Sequence, residues 1–337
     1  MKSRWAAVLI AAGLAGGAWY SLESPYRGFE DEVFLQFPKG SGTRAMAQKL
    51  ADAGVVRYAW QVWLARAIHP RTKLQAGEYR FDHAASVDDV FSRLGHGDVF
   101  YFSLTVPEGS NMFDIARLVE TEKIMPAKDF LQAAEDPAVV REMLHDIAPG
   151  ATTLEGFLFP STYRLTHLTT PAALCQMMTA QFRKEWKKLM PDPAADNLKT
   201  VTLASMIEKE TGMAAERPKV ASVFQNRLRI GMTLDCDPTV IYAALLEERY
   251  GGVIHRSDLD NKHPYNTYRH AGLPPGPIAN PGVSSLAAAM HPAETEFLYF
   301  VANPGGGGHV FSSNLAAHEK AVRSYRNANQ RKPRKAR

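Results

Sequence analysis

The chain has 337 residues, 45% of them hydrophobic and 22% charged, with a formal net charge of +4. These fractions are those of an ordinary globular protein, so they exclude a chain too polar to bury a core, and the length allows about two domains. The two cysteines, Cys175 and Cys236, exclude a disulfide framework, although they could form one bridge in an oxidising compartment or remain two free thiols.

The first predicted element is a membrane segment over residues 5–22. This run has no charged side chain and follows Lys2 and Arg4. It lies at the short end of the roughly 17–25 residues that a bilayer crossing needs, so a cleaved signal peptide is the alternative to a retained anchor. Trp19 and Tyr20 near its end favour the anchor, because aromatic rings suit a membrane interface.

The charges beside this segment predict its orientation. Basic residues on the short N-terminal side predict that residues 1–4 lie in the cytoplasm and the remainder of the chain outside it. We therefore expect a single-pass protein of the inner (cytoplasmic) membrane whose main part is periplasmic or otherwise extracytoplasmic. The basic end, residues 326–337, is predicted to be a disordered tail. Because an exported protein rarely meets nucleic acid, we expect no nucleic-acid partner.

Two similar stretches follow the N-terminal segment, residues 34–56 and residues 102–125. In each, a short β-type run ends at a proline, Gly-Ser makes a turn, and a helix with apolar residues at helical spacing comes next. Between them the pattern predicts another strand and a helix that begins near Ser86. The strand-turn-helix units resemble LysM-like modules, which bind N-acetylglucosamine-containing glycans. Packing units of an α+β domain are the alternative.

Longer helices are predicted from Thr152 onward. The periodicity indicates helices over residues 171–186, 198–211 and 218–230. The last of these has proline at its favoured first position. Loops rich in proline and glycine follow, such as GLPPGPIANPG from Gly272. Long ordered loops on a helical scaffold often form a substrate groove.

Glu210 is the candidate general acid. It lies three residues after Ile207 and seven after Leu203, so it projects from the helix stripe that should face the core. A carboxyl held against apolar side chains loses solvation, which raises its pKa and keeps it protonated near neutral pH. Protonation of a glycosidic oxygen requires such an acid. The alternative for Glu210 is a cap or a salt bridge to Arg217 or Lys219.

Four further residues are candidates for holding a sugar. Glu155 lies among aromatic residues in LEGFLFPSTYRL, whereas Asp237, Tyr265 and Asn266 lie in segments that follow the third long helix. Rings can stack on sugar faces, and carboxylate and amide groups can hydrogen-bond sugar hydroxyls and acetamides. The alternatives are a hydrophobic core with one capped loop for Glu155, and the start of a helix for Asp237.

Other chemistries fit the sequence poorly. The chain has no H-E-x-x-H motif and its histidines show no compact metal-ligand spacing, so we expect no metal site. It also lacks the G-x-S-x-G nucleophile elbow and the G-x-x-x-x-G-K-[ST] phosphate loop. We therefore expect neither a metal nor a cofactor.

Five sequence blocks together resemble the endolytic murein transglycosylase family, also called YceG-like. In chain order the blocks are EKETGMAAERPKVASVFQNRLRIGM, TLDCDPTVIYA, YNTYRHAGLPPGPIANPG, HPAETEFLYFVA and GGHVFSSNLAAH. The match extends over nearly the whole chain. The resemblance implies that the second glutamate of the EKET motif, Glu210, is the essential residue, and Asn226 in the first block becomes a further sugar-contacting candidate.

The resemblance implies a lytic transglycosylase that cleaves the β-1,4 bond between N-acetylmuramic acid and N-acetylglucosamine without water. The product end is a 1,6-anhydro-muramyl group. It further implies nascent peptidoglycan strands as substrate, a role in terminating glycan elongation, and peptidoglycan synthases as partners. One alternative is a non-catalytic glycan-binding scaffold of the cell-wall synthesis machinery. Another is a hydrolase with a second carboxylate at Glu208, Glu216 or Asp237.

For the whole chain we therefore expect an α+β fold with a single N-terminal transmembrane helix. A LysM-like module is predicted over residues 29–100, and a mixed α/β catalytic domain over residues 101–325.

Overall fold

The computed structural model describes residues 2–190 and 196–331. These residues mix helices with three two-stranded sheets, as the α+β class requires. The chain forms two compact units, Met1–Phe102 and Ser103–Arg337, which are called unit 1 and unit 2 below. The division falls close to the domain boundary predicted between residues 100 and 101.

Unit 1 combines a pair of strands with helices. In chain order its elements are α1 (Lys2–Glu23), β1 (Val33–Phe37), α2 (Thr43–Asp52), α3 (Ala59–Ile68), β2 (Gly77–Phe81) and α4 (Val87–His96). The strands β1 and β2 run antiparallel, with Leu35 opposite Tyr79. Leu35 and Phe37 alternate with more exposed residues along β1, and these two side chains join the apolar faces of α2, α3 and α4 in one core.

The N-terminal segment is helical, but it is not the membrane span that the sequence predicts. Within the described part of the chain, no helix has both the length and the apolarity of a membrane crossing. The prediction of a transmembrane helix over residues 5–22 is therefore wrong. Half of that run is alanine or glycine, which carry little apolar surface. Its last turn packs inside unit 1, where Leu22 is buried and Gln61 Nε2 donates to the Ser21 carbonyl at 2.9 Å.

Unit 2 begins within the third strand and is mainly helical. Its elements are β3 (Phe102–Thr105), α5 (Met112–Thr121), α6 (Ala127–Glu135), α7 (Pro137–Leu144), β4 (Thr162–Leu165), α8 (Pro171–Lys188), α9 (Asn197–Glu210), a 3₁₀ turn (Ala214–Glu216), α10 (Arg217–Arg229), α11 (Asp237–Leu246), α12 (Arg256–Asp260), α13 (Val283–Met290), β5 (Tyr299–Ala302), β6 (His309–Ser312) and α14 (Leu315–Arg331). β3 pairs with β4, and β5 and β6 form an antiparallel hairpin.

Local predictions agree well with these bounds. The three long helices predicted from the periodicity correspond to α8, α9 and α10, with each end within two residues. Both strand-turn-helix repeats are also confirmed, as β1 with α2 and as β3 with α5. Residues 326–331 of the predicted disordered tail belong to α14 instead, and residues 332–337 lie outside the described residues.

Helix α9 lies at the centre of unit 2. Asp196 caps its N-terminus by accepting a hydrogen bond from the Lys199 amide at 3.1 Å. Every residue from Val201 to Ile207 is buried, and the helix packs against α10, α11 and α13. A helix that is enclosed on all sides is held firmly, so its last residue, Glu210, has a fixed position.

Candidate active site

Glu210 lines a cavity of about 380 Å³ in unit 2. The wall of the cavity is built by the end of α9, by α10, by the start of α11, by the loop that carries Tyr268, and by β5 and α14. The lining residues are Glu210, Phe224, Arg227, Leu234, Asp235, Asp237, Tyr268, Tyr299, Phe300, Leu315 and His318. This mixture of aromatic rings with a few charged groups suits a sugar, which presents both flat faces and hydroxyl edges.

The surroundings of Glu210 favour its protonated form. Burial raises the pKa of the Glu210 carboxyl above its ordinary value, because the charged form loses solvation. The Asp237 carboxylate adds to this rise in pKa, whereas the Cys236 thiol, His309 and Arg227 act against it. Glu210 is also the last residue of α9, where the helix dipole disfavours a negative charge. The net effect is a Glu210 carboxyl whose pKa lies above its ordinary value, the direction that favours a proton donor.

Asp237 and Tyr268 form a hydrogen-bonded pair in the same cavity. The Tyr268 hydroxyl donates to Asp237 Oδ1 at 2.6 Å. Burial and this carboxylate raise the pKa of Tyr268, so the phenol stays a hydrogen-bond donor. Asp237 is the first residue of α11, which agrees with the alternative prediction that it begins a helix. It also lines the cavity. Tyr268 lies in the YNTY segment, which also contains the predicted residues Tyr265 and Asn266.

Arg227 supplies a positive charge to the cavity and was missed by the sequence analysis. Its Nε donates to the Leu298 carbonyl at 2.7 Å, and its Nη1 donates to the Leu234 carbonyl at 3.0 Å and to Asp235 at 3.2 Å. Its guanidinium lies over the Tyr299 ring, 5.3 Å from the centroid. The sequence signal was an arginine on a helix face that is otherwise buried in the core.

Glu155 lies in the core of unit 2 and does not line the cavity. The residue is 1% exposed, and its carboxylate accepts hydrogen bonds from the Met112 amide at 2.8 Å, Asn280 Nδ2 at 2.8 Å and the Tyr242 hydroxyl at 3.0 Å. Burial raises the pKa of Glu155 to about 7. Tyr265 packs on the Tyr242 ring, with 5.1 Å between the centroids. These two predicted residues therefore lie together, but apart from Glu210.

The two predicted asparagines fasten loops to the scaffold. Asn226 Nδ2 donates to the carbonyls of Thr295 at 2.8 Å and Phe297 at 3.0 Å, which ties α10 to the segment before β5. Asn266 is fully buried, and its Nδ2 donates to the Asn261 carbonyl at 2.6 Å. Of the six predicted site residues, the structure brings only Glu210 and Asp237 together in one cavity.

The other carboxylates near Glu210 in sequence are already paired. Glu208 Oε1 accepts a hydrogen bond from Arg217 Nη2 at 2.8 Å, so the arginine considered as a partner for Glu210 is bound to Glu208 instead. Glu216 Oε2 contacts His309 Nδ1 at 2.8 Å. Glu208, Glu216 and Asp237 were the candidates for a second carboxylate, and of these only Asp237 lines the cavity with Glu210.

The two cysteines do not form a disulfide. Cys175 and Cys236 are free and buried. Among the described residues, no group of three or more histidine, cysteine, aspartate or glutamate side chains is arranged to hold a metal ion.

Comparisons with known proteins agree on one family. The model of the YceG-like family matches residues 35–324. The endolytic murein transglycosylase of Bacillus subtilis is 33% identical over 321 residues, which cover 90% of this chain and 88% of the relative. An endolytic murein transglycosylase of Streptococcus pneumoniae is 26% identical, and the match covers 95% of this chain but 64% of the longer relative.

A solved structure shows the same architecture. The 2.6 Å crystal structure of a YceG-like protein from Listeria monocytogenes superposes with a TM-score of 0.55 at 31% sequence identity. The superposition covers 87% of this chain and 99% of that protein.

Proposed function

We propose the function from one premise: this chain belongs to the YceG-like family, whose model matches residues 35–324. Relatives that cover most of the chain carry the name endolytic murein transglycosylase. The chain is accordingly a lytic transglycosylase that acts on peptidoglycan, a carbon–oxygen lyase of polysaccharides. Its reaction is the cleavage of the β-1,4 bond between N-acetylmuramic acid and N-acetylglucosamine, with a 1,6-anhydro-muramyl end as product.

We propose that Glu210 first acts as the general acid. Its proton moves to the glycosidic oxygen, the bond from that oxygen to the muramyl C1 breaks, and positive charge develops on the sugar ring. The observation that carries this role is a carboxyl with a raised pKa that lines a cavity large enough for a sugar ring. A raised pKa favours the protonated carboxyl, which is the form that a general acid needs.

Glu210 then acts as the base in the second step. As a carboxylate it accepts the proton of the muramyl 6-hydroxyl, whose oxygen forms the new bond to C1. Because the hydroxyl belongs to the same sugar, its attack needs no activated water and gains from proximity. One carboxyl therefore suffices, in contrast to glycosidases that use a pair. The proton taken up in this step restores Glu210 for the next cycle.

Asp237 and Tyr268 are the proposed contacts to the reacting sugar. Both line the cavity with Glu210, and the hydrogen bond of 2.6 Å between them orients the Asp237 carboxylate. A carboxylate in this position would stabilise the positive charge that develops at C1. Of the remaining predicted residues, Glu155 is better explained as a core residue, and Asn226, Tyr265 and Asn266 as supports of the segments beside the cavity.

The location and partners of the protein follow from its substrate. We propose an extracytoplasmic site of action, because peptidoglycan lies outside the cytoplasm. Nascent glycan strands are the proposed substrate, and peptidoglycan synthases are the proposed partners in ending strand growth. For residues 29–100 we propose glycan binding in the manner of LysM-like modules, which would keep the strand near the cavity.

The test is product analysis with the purified full-length chain. Uncrosslinked glycan strands are incubated with the wild type, with Glu210→Gln and with Glu142→Gln, and the released muropeptides are identified by mass spectrometry. Glu142 is an exposed glutamate on α7, so it controls for the same chemical change elsewhere. We expect anhydro-muramyl ends from the wild type and the control, and a loss of about 100-fold or more in Glu210→Gln.

Other products would change the conclusion. Reducing ends would indicate a hydrolase, with Asp237 as the second carboxylate. Glycan binding without any cleavage by the wild type would favour the non-catalytic scaffold. Full activity of Glu210→Gln would remove Glu210 from the reaction.

A further inference from the structure

A carboxylate and a histidine form a closely bound pair next to the catalytic cavity. Glu216 Oε2 contacts His309 Nδ1 at 2.8 Å, and Glu216 Oε1 accepts a hydrogen bond from the His309 amide, also at 2.8 Å. The side chains are only 14% and 19% exposed. We call these two residues the Glu216–His309 pair. The double contact fixes the ring, because one glutamate holds both the backbone and the side chain of the histidine.

The chain makes room for this pair with a glycine. A Cβ atom built at Gly308 would lie 2.3 Å from Glu216 Oε1, so any other residue at this position would collide with the carboxylate. Gly308 also has a φ of +109°, a conformation that other residues rarely adopt. The glycine-rich loop between β5 and β6 therefore serves a close approach of Glu216 to the hairpin.

The pair is linked to the catalytic cavity on two sides. Thr211, the residue after Glu210, donates a long hydrogen bond of 3.4 Å from its hydroxyl to Glu216 Oε2. The His309 ring meets the Phe300 ring edge-on, with 5.4 Å between the centroids, and Phe300 lines the cavity. The pair thus connects the end of α9 to the hairpin that forms the opposite part of the cavity wall.

The charges around Glu210 and His309 come from several elements. Glu210 faces groups from α10, α11, α14, β6 and the loops, namely Arg227, Cys236, Asp237, His309, Asp235, Tyr268 and His318. His309 faces Glu216 and the aromatic rings of Phe300 and Phe311. Lys219 Nζ lies over the Phe311 ring, 5.8 Å from its centroid.

We infer that the Glu216–His309 pair is a positioning pair for the reaction, which holds the His309 imidazole next to the end of α9 and stabilises the carboxylate that Glu210 becomes after it donates its proton. This inference rests on the proposed function, because it needs Glu210 to alternate between acid and base. A positive charge nearby makes the first proton easier to release. It also keeps the carboxylate available for the 6-hydroxyl.

The inference is tested by the pH dependence of turnover on glycan strands. A general acid loses activity as pH rises through its pKa, so kcat falls on the alkaline side. Without the nearby positive charge Glu210 keeps its proton to higher pH. In Glu216→Gln and His309→Gln we therefore expect the alkaline limb of the kcat profile to move up by on the order of one pH unit. His309→Arg retains a positive charge and should leave the limb near its wild-type position.

Two alanine substitutions, at Gly308 and at Gly306, give a matched comparison that changes no titratable group. Gly308→Ala should push Glu216 away and shift the limb in the same direction as Glu216→Gln. Gly306 also has a positive φ, of +80°, but a Cβ atom there meets nothing within 4 Å. Gly306→Ala therefore carries comparable backbone strain without touching the pair, and its pH profile should match the wild type. Thermal unfolding of each variant reports whether the fold is kept.

The outcomes separate this inference from the proposed function. If Glu210→Gln is inactive but Glu216→Gln, His309→Gln and Gly308→Ala all lower kcat without moving the limb, the pair is merely structural and the inference is overturned. If Gly306→Ala shifts the limb as much as Gly308→Ala, hairpin strain explains the effect and the inference is likewise overturned. A wild type that makes no anhydro-muramyl ends would overturn the proposed function, and the inference with it.

Discussion

Two buried glutamates in unit 2 have raised pKa values, but their surroundings give them different roles. Glu155 is enclosed by protein, and three donors occupy its carboxylate. Burial also raises the pKa of Glu210, but this glutamate lines a cavity that can admit a substrate. A raised pKa alone therefore does not identify a catalytic acid. Access to a ligand is the property that distinguishes the two residues.

Glu155 predicts how the stability of unit 2 depends on pH. Its pKa is about 7 in the folded chain, above the ordinary value of 4.5, so the folded state binds the proton more tightly than the unfolded state. Its contribution to stability is thus complete below about pH 4.5 and is lost as pH rises toward 7. A shift of this size corresponds to roughly 3 kcal/mol. Urea unfolding at pH 5, 6, 7 and 8 measures the decline.

The control for Glu155 is Glu155→Gln, which does not titrate. The NH2 of the glutamine side chain would face a hydrogen-bond donor, so we expect the variant to be less stable than the wild type at pH 5. Its free energy of unfolding should, however, fall less steeply between pH 5 and 8 than that of the wild type. Equal slopes for the two proteins would contradict this account of Glu155.

At the scale of elements, helix α9 is fixed by Glu208, two residues before Glu210. Glu208 accepts hydrogen bonds from Arg217 Nη2 at 2.8 Å and from the Gly282 amide at 3.0 Å, and Arg217 Nη1 also contacts Ser284. These contacts join the end of α9 to the beginnings of α10 and α13. Because the Glu208 and Arg217 side chains are 5% and 6% exposed, neither charge can turn to water if its partner is lost.

Removal of Glu208 should destabilise unit 2 strongly. Glu208→Ala leaves Arg217 buried without its main partner, because Glu108 is 3.7 Å away and half exposed. We expect a loss of about 3 kcal/mol in the free energy of unfolding, measured in urea.

A double variant separates the pair from the space that it fills. Glu208→Leu combined with Arg217→Met removes both charges and keeps much of the volume, so it should be clearly more stable than Glu208→Ala. If the double variant were the less stable of the two, the buried ion pair would not be the origin of the loss.

At the scale of the whole molecule, the proposed active site lies in unit 2. Every residue that lines the cavity with Glu210 lies between Glu210 and His318, and unit 1 has a core of its own. Units with separate cores commonly fold independently.

A fragment test follows from this division. Residues 101–337 should unfold in one cooperative transition and release anhydro-muramyl products from glycan strands. If residues 29–100 bind glycan, the fragment should show a raised KM with little change in kcat, because binding energy away from the reacting bond is lost. A fragment that folds but lacks turnover would show that catalysis needs unit 1.

Helix positions and the candidate acid can be predicted from the sequence, because both depend on residues that are close together in the chain. Helix periodicity predicted α8, α9 and α10 to within two residues, and the same periodicity, together with the EKET motif, selected Glu210. The prediction of a membrane span in the N-terminal run is wrong, because a run without charges need not be apolar enough to cross a bilayer.

Contacts between residues that are distant in the chain could be seen only in the tertiary structure. Tyr268 reaches Asp237 across 31 positions, and His309 reaches Glu216 across 93. Periodicity reports which way a side chain faces within one element, but the partner that it meets depends on how elements pack. For the same reason Glu155, which has the aromatic neighbours of a sugar site, lies in the core. A local pattern cannot distinguish a cavity wall from an enclosed interior, since both are lined by the same residue types.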